Sequence, residues 1–165
     1  MEILTILMII IINFILQSTI FHHIAILGVV PNTALVIIVS LGLLKGEKAG
    51  GIAGLLIGFL QDIFFSVAIG ANAFVYFFIG YCIGKTEQKV YKESLITPII
   101  FTAISTVAYY LLYYVVMYFL SAKISFGFVF KNRGVVEIIY NGILAIPIYK
   151  LFLKMITVPS IKFRR

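Results

Sequence analysis

The chain predicts an all-α integral membrane protein, a bundle of about six transmembrane helices forming one multi-pass domain over residues 1–165. Three observations carry this. Mean hydropathy is +1.15. Only 12% of residues are charged against 62% apolar, about half the roughly 25% charge of soluble domains, so a soluble fold of this size could not hide its apolar surface. Apolar runs long enough to cross a ~30 Å hydrocarbon core recur along the whole chain, and the basic residues collect at their ends.

The first run, Ile3 to Phe21, lacks a basic leader and a small-x-small cleavage site before His22, so it is expected to stay as a helix. Asn13 and Gln17 stand four apart on one face of it and are expected to bond a neighbouring helix. The second run, from about Asn32 to Leu44, is short for a crossing. It starts either after Pro31 or earlier, near Ile24, with Pro31 kinking it. Lys45, Gly46, Glu47 and Lys48 form a polar hairpin before the third run.

That third run, Ala49 to Phe65 (AGGIAGLLIGFLQDIFF), carries the chain's single aspartate. Gly51, Gly54, Gly58 and Asp62 are spaced by three, four and four residues, close to whole helical turns, so they share one narrow arc. Small residues so spaced let another helix approach closely, and a partner is expected on that face. A carboxylate at membrane depth costs roughly 2.5 to 3.5 kcal/mol, so Asp62 is expected to find donors inside the protein or an interface. An amide would suffice for packing alone, which points to a charge read by a partner or a conformational step.

The fourth run ends at Gly84 and contains Tyr76 and Gly80, and a charged stretch from Lys85 to Glu93 follows. The fifth, Leu95 to Leu120, holds Tyr109, Tyr110, Tyr113, Tyr114 and Tyr118, an interface belt or an aromatic packing seam. The last, from about Val135 to Ile156, places Glu137 and Asn141 four apart and Pro147 in its middle. Arg133, one turn before Glu137, is its nearest candidate partner.

An even number of crossings puts both termini on one side. Placing them in the cytoplasm leaves only Lys123, Lys131 and Arg133 of the 13 basic residues outside, as the positive-inside rule requires. Those three, with the FGFVF run between them, could instead form a segment lying on the outer leaflet. The basic excess therefore orients the chain and meets membrane lipid; nucleic acid is not an expected partner.

The residue inventory speaks against catalysis. One aspartate cannot form an aspartyl dyad or a two-metal carboxylate site. His22 and His23 are adjacent and diverge on a helix, no Walker A motif occurs, and the single Cys82 can form neither an internal disulfide nor a cysteine zinc site. No enzyme activity, cofactor or metal is expected.

Four features then occur in order: Pro31-Asn32 opening the second run, the GIAGLLIGFLQDIFF block, Gly70 with Tyr76 and Gly80 in the following helix, and Asn141-Gly142 with Pro147 in the last. Together they resemble the rod shape-determining protein MreD family, a bacterial multi-pass component of the lateral wall-elongation machinery. Val30 stands where the family commonly has a basic residue. The resemblance implies a plasma-membrane protein with a fold similar to the substrate-binding subunits of energy-coupling-factor transporters. It also implies a scaffold role in cell shape and lateral peptidoglycan synthesis. The implied partners are the bitopic protein MreC and, through it, the rod complex of MreB, RodA and a class B penicillin-binding protein. A vitamin-binding transporter subunit is the competing reading, since the implied fold is shared. Such subunits show Ala-x-x-x-Ala on the first helix, whereas Ile3 to Phe21 contains no alanine.

Overall fold

The second apolar run explains the architecture, because it is the axis around which the other helices pack. In the computed structural model, which describes residues 2–19, 25, 28–66, 68–120 and 134–157, it forms α2 (Thr33–Lys45). Every residue from Thr33 to Leu44 is buried, as a helix that is apolar all round requires. Its 13 residues rise only about 20 Å, short of a ~30 Å hydrocarbon core. With neighbours on every side it need not face lipid. It begins after Pro31 and not near Ile24: Asn32 caps it, its side-chain oxygen accepting from the Leu35 N–H at 3.0 Å, and residues 28–32 are not helical.

Around α2 stand α1 (Glu2–Thr19), α3 (Glu47–Phe65), α4 (Ala71–Gly84), α5 (Ile96–Phe119) and α6 (Val135–Thr157), with a short 3-10 turn at Glu87–Lys89. The six expected runs thus correspond to six α-helices among the described residues. Three of them, α3, α5 and α6, contain spans long and apolar enough to cross a membrane. Large apolar side chains such as Phe59, Phe64, Phe74, Ile104 and Ile139 point outward, as lipid-facing positions do. The hairpin between α2 and α3 is tighter than expected. Lys45 still belongs to α2 and Glu47 already opens α3, leaving Gly46 alone at φ 86° to turn the chain, a conformation that favours glycine.

Helices α3 and α4 run antiparallel in backbone contact along their length. A Cβ added to Gly58 would lie 2.5 Å from Ala73 Cα, one on Gly54 2.3 Å from the Tyr76 carbonyl oxygen, and one on Gly50 2.4 Å from the Gly80 carbonyl oxygen. At the end of the hairpin, a Cβ on Gly84 would lie 2.3 Å from Glu47 Cα. Two corrections to the sequence reading follow. The occupant of the small-residue face is α4 of the same chain. The stripe begins at Gly50, giving spacings of four, four and four through Gly54, Gly58 and Asp62. Gly51 sits at its edge, where a Cβ would meet only the Phe77 ring, at 3.2 Å. Gly42 of α2 joins at Gly80 and Gly84, with 3.2 Å to the Gly80 carbonyl oxygen, so three helices converge there on bare backbone.

Candidate functional site

The other end of the bundle, where α2 and α4 start and α3 and α5 end, is built from hydrogen bonds. Asp62 closes α3 and is 1% exposed. Its Oδ2 accepts from the Gly70 N–H (2.9 Å) and the Ala73 N–H (3.0 Å), and its Oδ1 from the Asn72 N–H (3.1 Å) and Nδ2 (2.9 Å). Three of these four donors are the free backbone N–H groups at the start of α4, where the helix dipole also favours negative charge. No side chain of the cap residue itself helps, because Gly70 holds that position at φ 97°. The carboxylate therefore has an internal reason to be charged: an amide could not accept on both sides.

Asn72 continues the network by accepting from the Tyr109 hydroxyl at 2.8 Å. A second branch starts at Asn32, whose N–H donates to Asn141 Oδ1 at 2.8 Å and whose Nδ2 donates to the Tyr76 hydroxyl at 2.8 Å. That hydroxyl in turn donates to Asn32 Oδ1 at 3.0 Å. Asn141 Nδ2 donates to Thr106 Oγ1 at 3.1 Å and reaches Glu137 Oε1 at 3.5 Å, while the Tyr110 hydroxyl donates to Glu137 Oε2. The branches meet where the Tyr76 and Tyr109 rings stack, 5.2 Å between centroids. Tyr109 stacks in turn on Tyr113 at 5.6 Å. Each buried polar group of this network thus finds partners, as a low-dielectric surrounding demands, whereas the buried Thr102 and Ser105 hydroxyls of α5, outside it, have none among the described residues.

These side chains wall a cavity of about 530 Å³, within the roughly 300–1,000 Å³ range of small-molecule sites. Tyr109, Tyr110, Tyr113 and Tyr114 of α5 form one side, with Tyr76 and Glu137 beside them. Pro31, Asn32 and the non-helical residues Gly28 to Val30 form the second, and Gln17, Gln61, Phe65, Ser66 and Asn72 the third. Gln17 Oε1 is the meeting point of α1, α2 and α3. It accepts from Gln61 Nε2 at 3.1 Å and Thr33 Oγ1 at 3.4 Å, with Asn13 Nδ2 at 3.5 Å.

Of the residues singled out in the sequence, Gln17, Pro31, Asn32, Tyr76 and Glu137 line the cavity, Asp62, Asn13 and Asn141 stand one bond behind it, and Gly70 stands behind Asp62. Gly80 belongs to the opposite, glycine-packed end. Gly142 is buried, yet a Cβ there would meet only Ile99 Cγ2, at 3.6 Å, and Pro147 lies on the exposed face of α6. Arg133, proposed as a partner of Glu137, lies outside the described residues, as do His22 and His23. Asn72 was missed, although its spacing of four from Tyr76 is a signal that both share a helical face. Of the two roles read for the α5 tyrosines, the packing seam is seen at Tyr109, which stacks on Tyr76 and Tyr113; their lining of the cavity was not read from the sequence. Among the described residues no three His, Cys, Asp or Glu side chains converge.

A multi-helix membrane protein emerges, whose carboxylates are engaged in its own architecture and whose open space is walled by tyrosine and amide groups. A family model described as rod shape-determining protein MreD matches residues 1–156, essentially the whole chain, and the chain belongs to that family. Its role lies in rod shape determination. No curated protein and no solved structure matches it.

Proposed function

We propose that this chain is a non-enzymatic scaffold of the rod complex, holding MreC by helix-to-helix contact in the plasma membrane and, through MreC, gathering MreB, RodA and a class B penicillin-binding protein. The observation that carries this reading is the use made of Asp62. The one aspartate is committed to four internal donors that lock α3 to α4, so its charge serves a rigid frame. The apolar exterior of that frame is left for lipid and for other helices. Both termini are cytoplasmic in this proposal. In support, all seven lysines among the described residues, from Lys45 to Lys154, belong to the end opposite the cavity, which the positive-inside rule assigns to the cytoplasm.

The test is complementation in a strain depleted of its own copy, with MreC co-purification scored on the same cells. Wild type should restore rods and retain MreC. Restored rods with no MreC retained would defeat the scaffold reading. A C-terminal alkaline phosphatase fusion should be inactive and a fluorescent-protein fusion bright; the reverse would overturn the orientation.

One observation favours the second reading, a substrate-binding subunit of an energy-coupling-factor-type transporter: the cavity has the volume of a small-molecule site. On that reading a vitamin would remain bound through purification, and its uptake would fail on depletion.

A further inference from the structure

Among the described residues the cavity's free hydrogen-bonding capacity is neutral. None of those that wall it is a lysine or arginine, so these side chains offer an anionic group no counter-charge for its lost hydration. The Glu137 carboxylate is already engaged by Tyr110 and Asn141. Still available are the Tyr113 hydroxyl, which makes a ring contact with Tyr109 but no hydrogen bond, the carbonyl oxygen of Gln61, whose amide nitrogen is used on Gln17, and the Ser66 hydroxyl as a donor. Hydroxyls both donate and accept, and the amide carbonyl accepts. Beside them stand tyrosine rings, which offer flat apolar surface with a polar edge. A wall of this kind fits an uncharged ring that alternates hydroxyl groups with apolar C–H patches. The cavity also lies where the helices end, the level at which hydrocarbon gives way to headgroups and tyrosine concentrates.

We propose that this cavity binds a saccharide ring, either as a free sugar or as the headgroup of a glycolipid. This binding function is independent of the assembly role above and would stand without it.

The absence of tryptophan and the placement of five of the ten tyrosines around the cavity make intrinsic tyrosine fluorescence a local reporter. The full chain, reconstituted in phospholipid nanodiscs free of sugar detergents, is titrated with octyl glucoside below its micellar concentration. Octyl tetraethylene glycol and octylphosphocholine serve as probes with the same chain and a non-sugar or charged head. Octyl glucoside should give a saturable change, and the other two should not. Tyr113→Phe removes a hydroxyl that has no hydrogen-bond partner among the described residues, so the fold should survive while affinity falls by about three- to tenfold, the loss expected for one neutral hydrogen bond. Tyr118→Phe, on an exposed side chain outside the cavity, should leave affinity unchanged. Competition of methyl glucoside against octyl glucoside would assign the site to free sugar, and saturable octyl glucoside binding that methyl glucoside does not displace to a lipid-borne one; either supports the proposal. Equal affinity for the ethylene glycol or phosphocholine probe, or no effect of Tyr113→Phe on binding, would overturn it.

Discussion

The two ends of this bundle hold the same helices together by opposite means. At the closed end, α2, α3 and α4 converge on Gly42, Gly50, Gly80 and Gly84 with no side chain between their backbones. At the open end the same three helices are joined by Asn32, Asp62, Asn72 and Tyr76 through hydrogen bonds around a cavity. Glycine contact offers dispersion and close approach but little register, because a four-residue stripe looks much the same after a slip of one turn. Hydrogen bonds have direction. The Asp62 carboxylate meets three particular N–H groups, so it fixes where α4 begins against where α3 ends. The glycine stripe sets the distance between the helices, and the aspartate sets their register.

The largest expected effect separates these roles. Gly54→Leu forces a side chain into the Tyr76 carbonyl and should cost about 3 kcal/mol, the upper part of the overpacking range. Gly142→Ala, with only a 3.6 Å contact, should be close to neutral. Thermal unfolding of the purified variants in detergent decides it, and equal losses at both sites would show that backbone contact is not what holds α3 against α4.

Next comes Asp62. Asp62→Ala strands the α4 donors at about 1 to 3 kcal/mol. Asp62→Asn should lose about half of that, because an amide keeps one accepting oxygen and turns a donor toward an N–H. Membrane abundance at matched expression should follow the order wild type, Asn, Ala. An Asn variant as stable and abundant as wild type would mean that the charge is not needed by α4.

Tyr76→Phe removes the hydroxyl from Asn32 and should cost about 1 kcal/mol, read as a lower melting temperature. The smallest effect belongs to the closed end's polar contact, where the Lys92 ammonium donates to the Leu44 carbonyl oxygen and pairs with Glu87. This pair is partly exposed, so Lys92→Met should cost less than about 1 kcal/mol. A loss larger than that of Tyr76→Phe would reverse the ranking of the two ends.

Periodicity made some of this legible and left the rest hidden for physical reasons. The Gly54, Gly58 and Asp62 arc is visible because helical spacing is a local property. Which helix fills the arc is not local, since small residues invite a helix of the same chain as readily as one from a partner. The central position of α2 was hidden in the same way: its uniform apolarity suits lipid and protein equally, and only its 13 residues hinted that it does not face the bilayer alone. The cavity was half visible. Asn32, Tyr76 and Glu137 stood out as polar groups in apolar runs, but the convergence of the helices on them depends on contacts far apart in sequence, up to the 109 positions between Asn32 and Asn141 of α6.

The contrast between a closed and an open end is tested most directly by cysteine accessibility. In a Cys82→Ser background, Ser66→Cys places a thiol in the cavity wall and Ser40→Cys places one in the buried axis helix, where the serine is 1% exposed. Both replacements nearly conserve size. In intact membranes a small, impermeant methanethiosulfonate reagent should label Ser66→Cys and leave Ser40→Cys unmodified until the protein is denatured. Labelling of both, or of Ser40→Cys alone, would contradict a bundle that is sealed by backbone contact at one end and open through a tyrosine-lined cavity at the other.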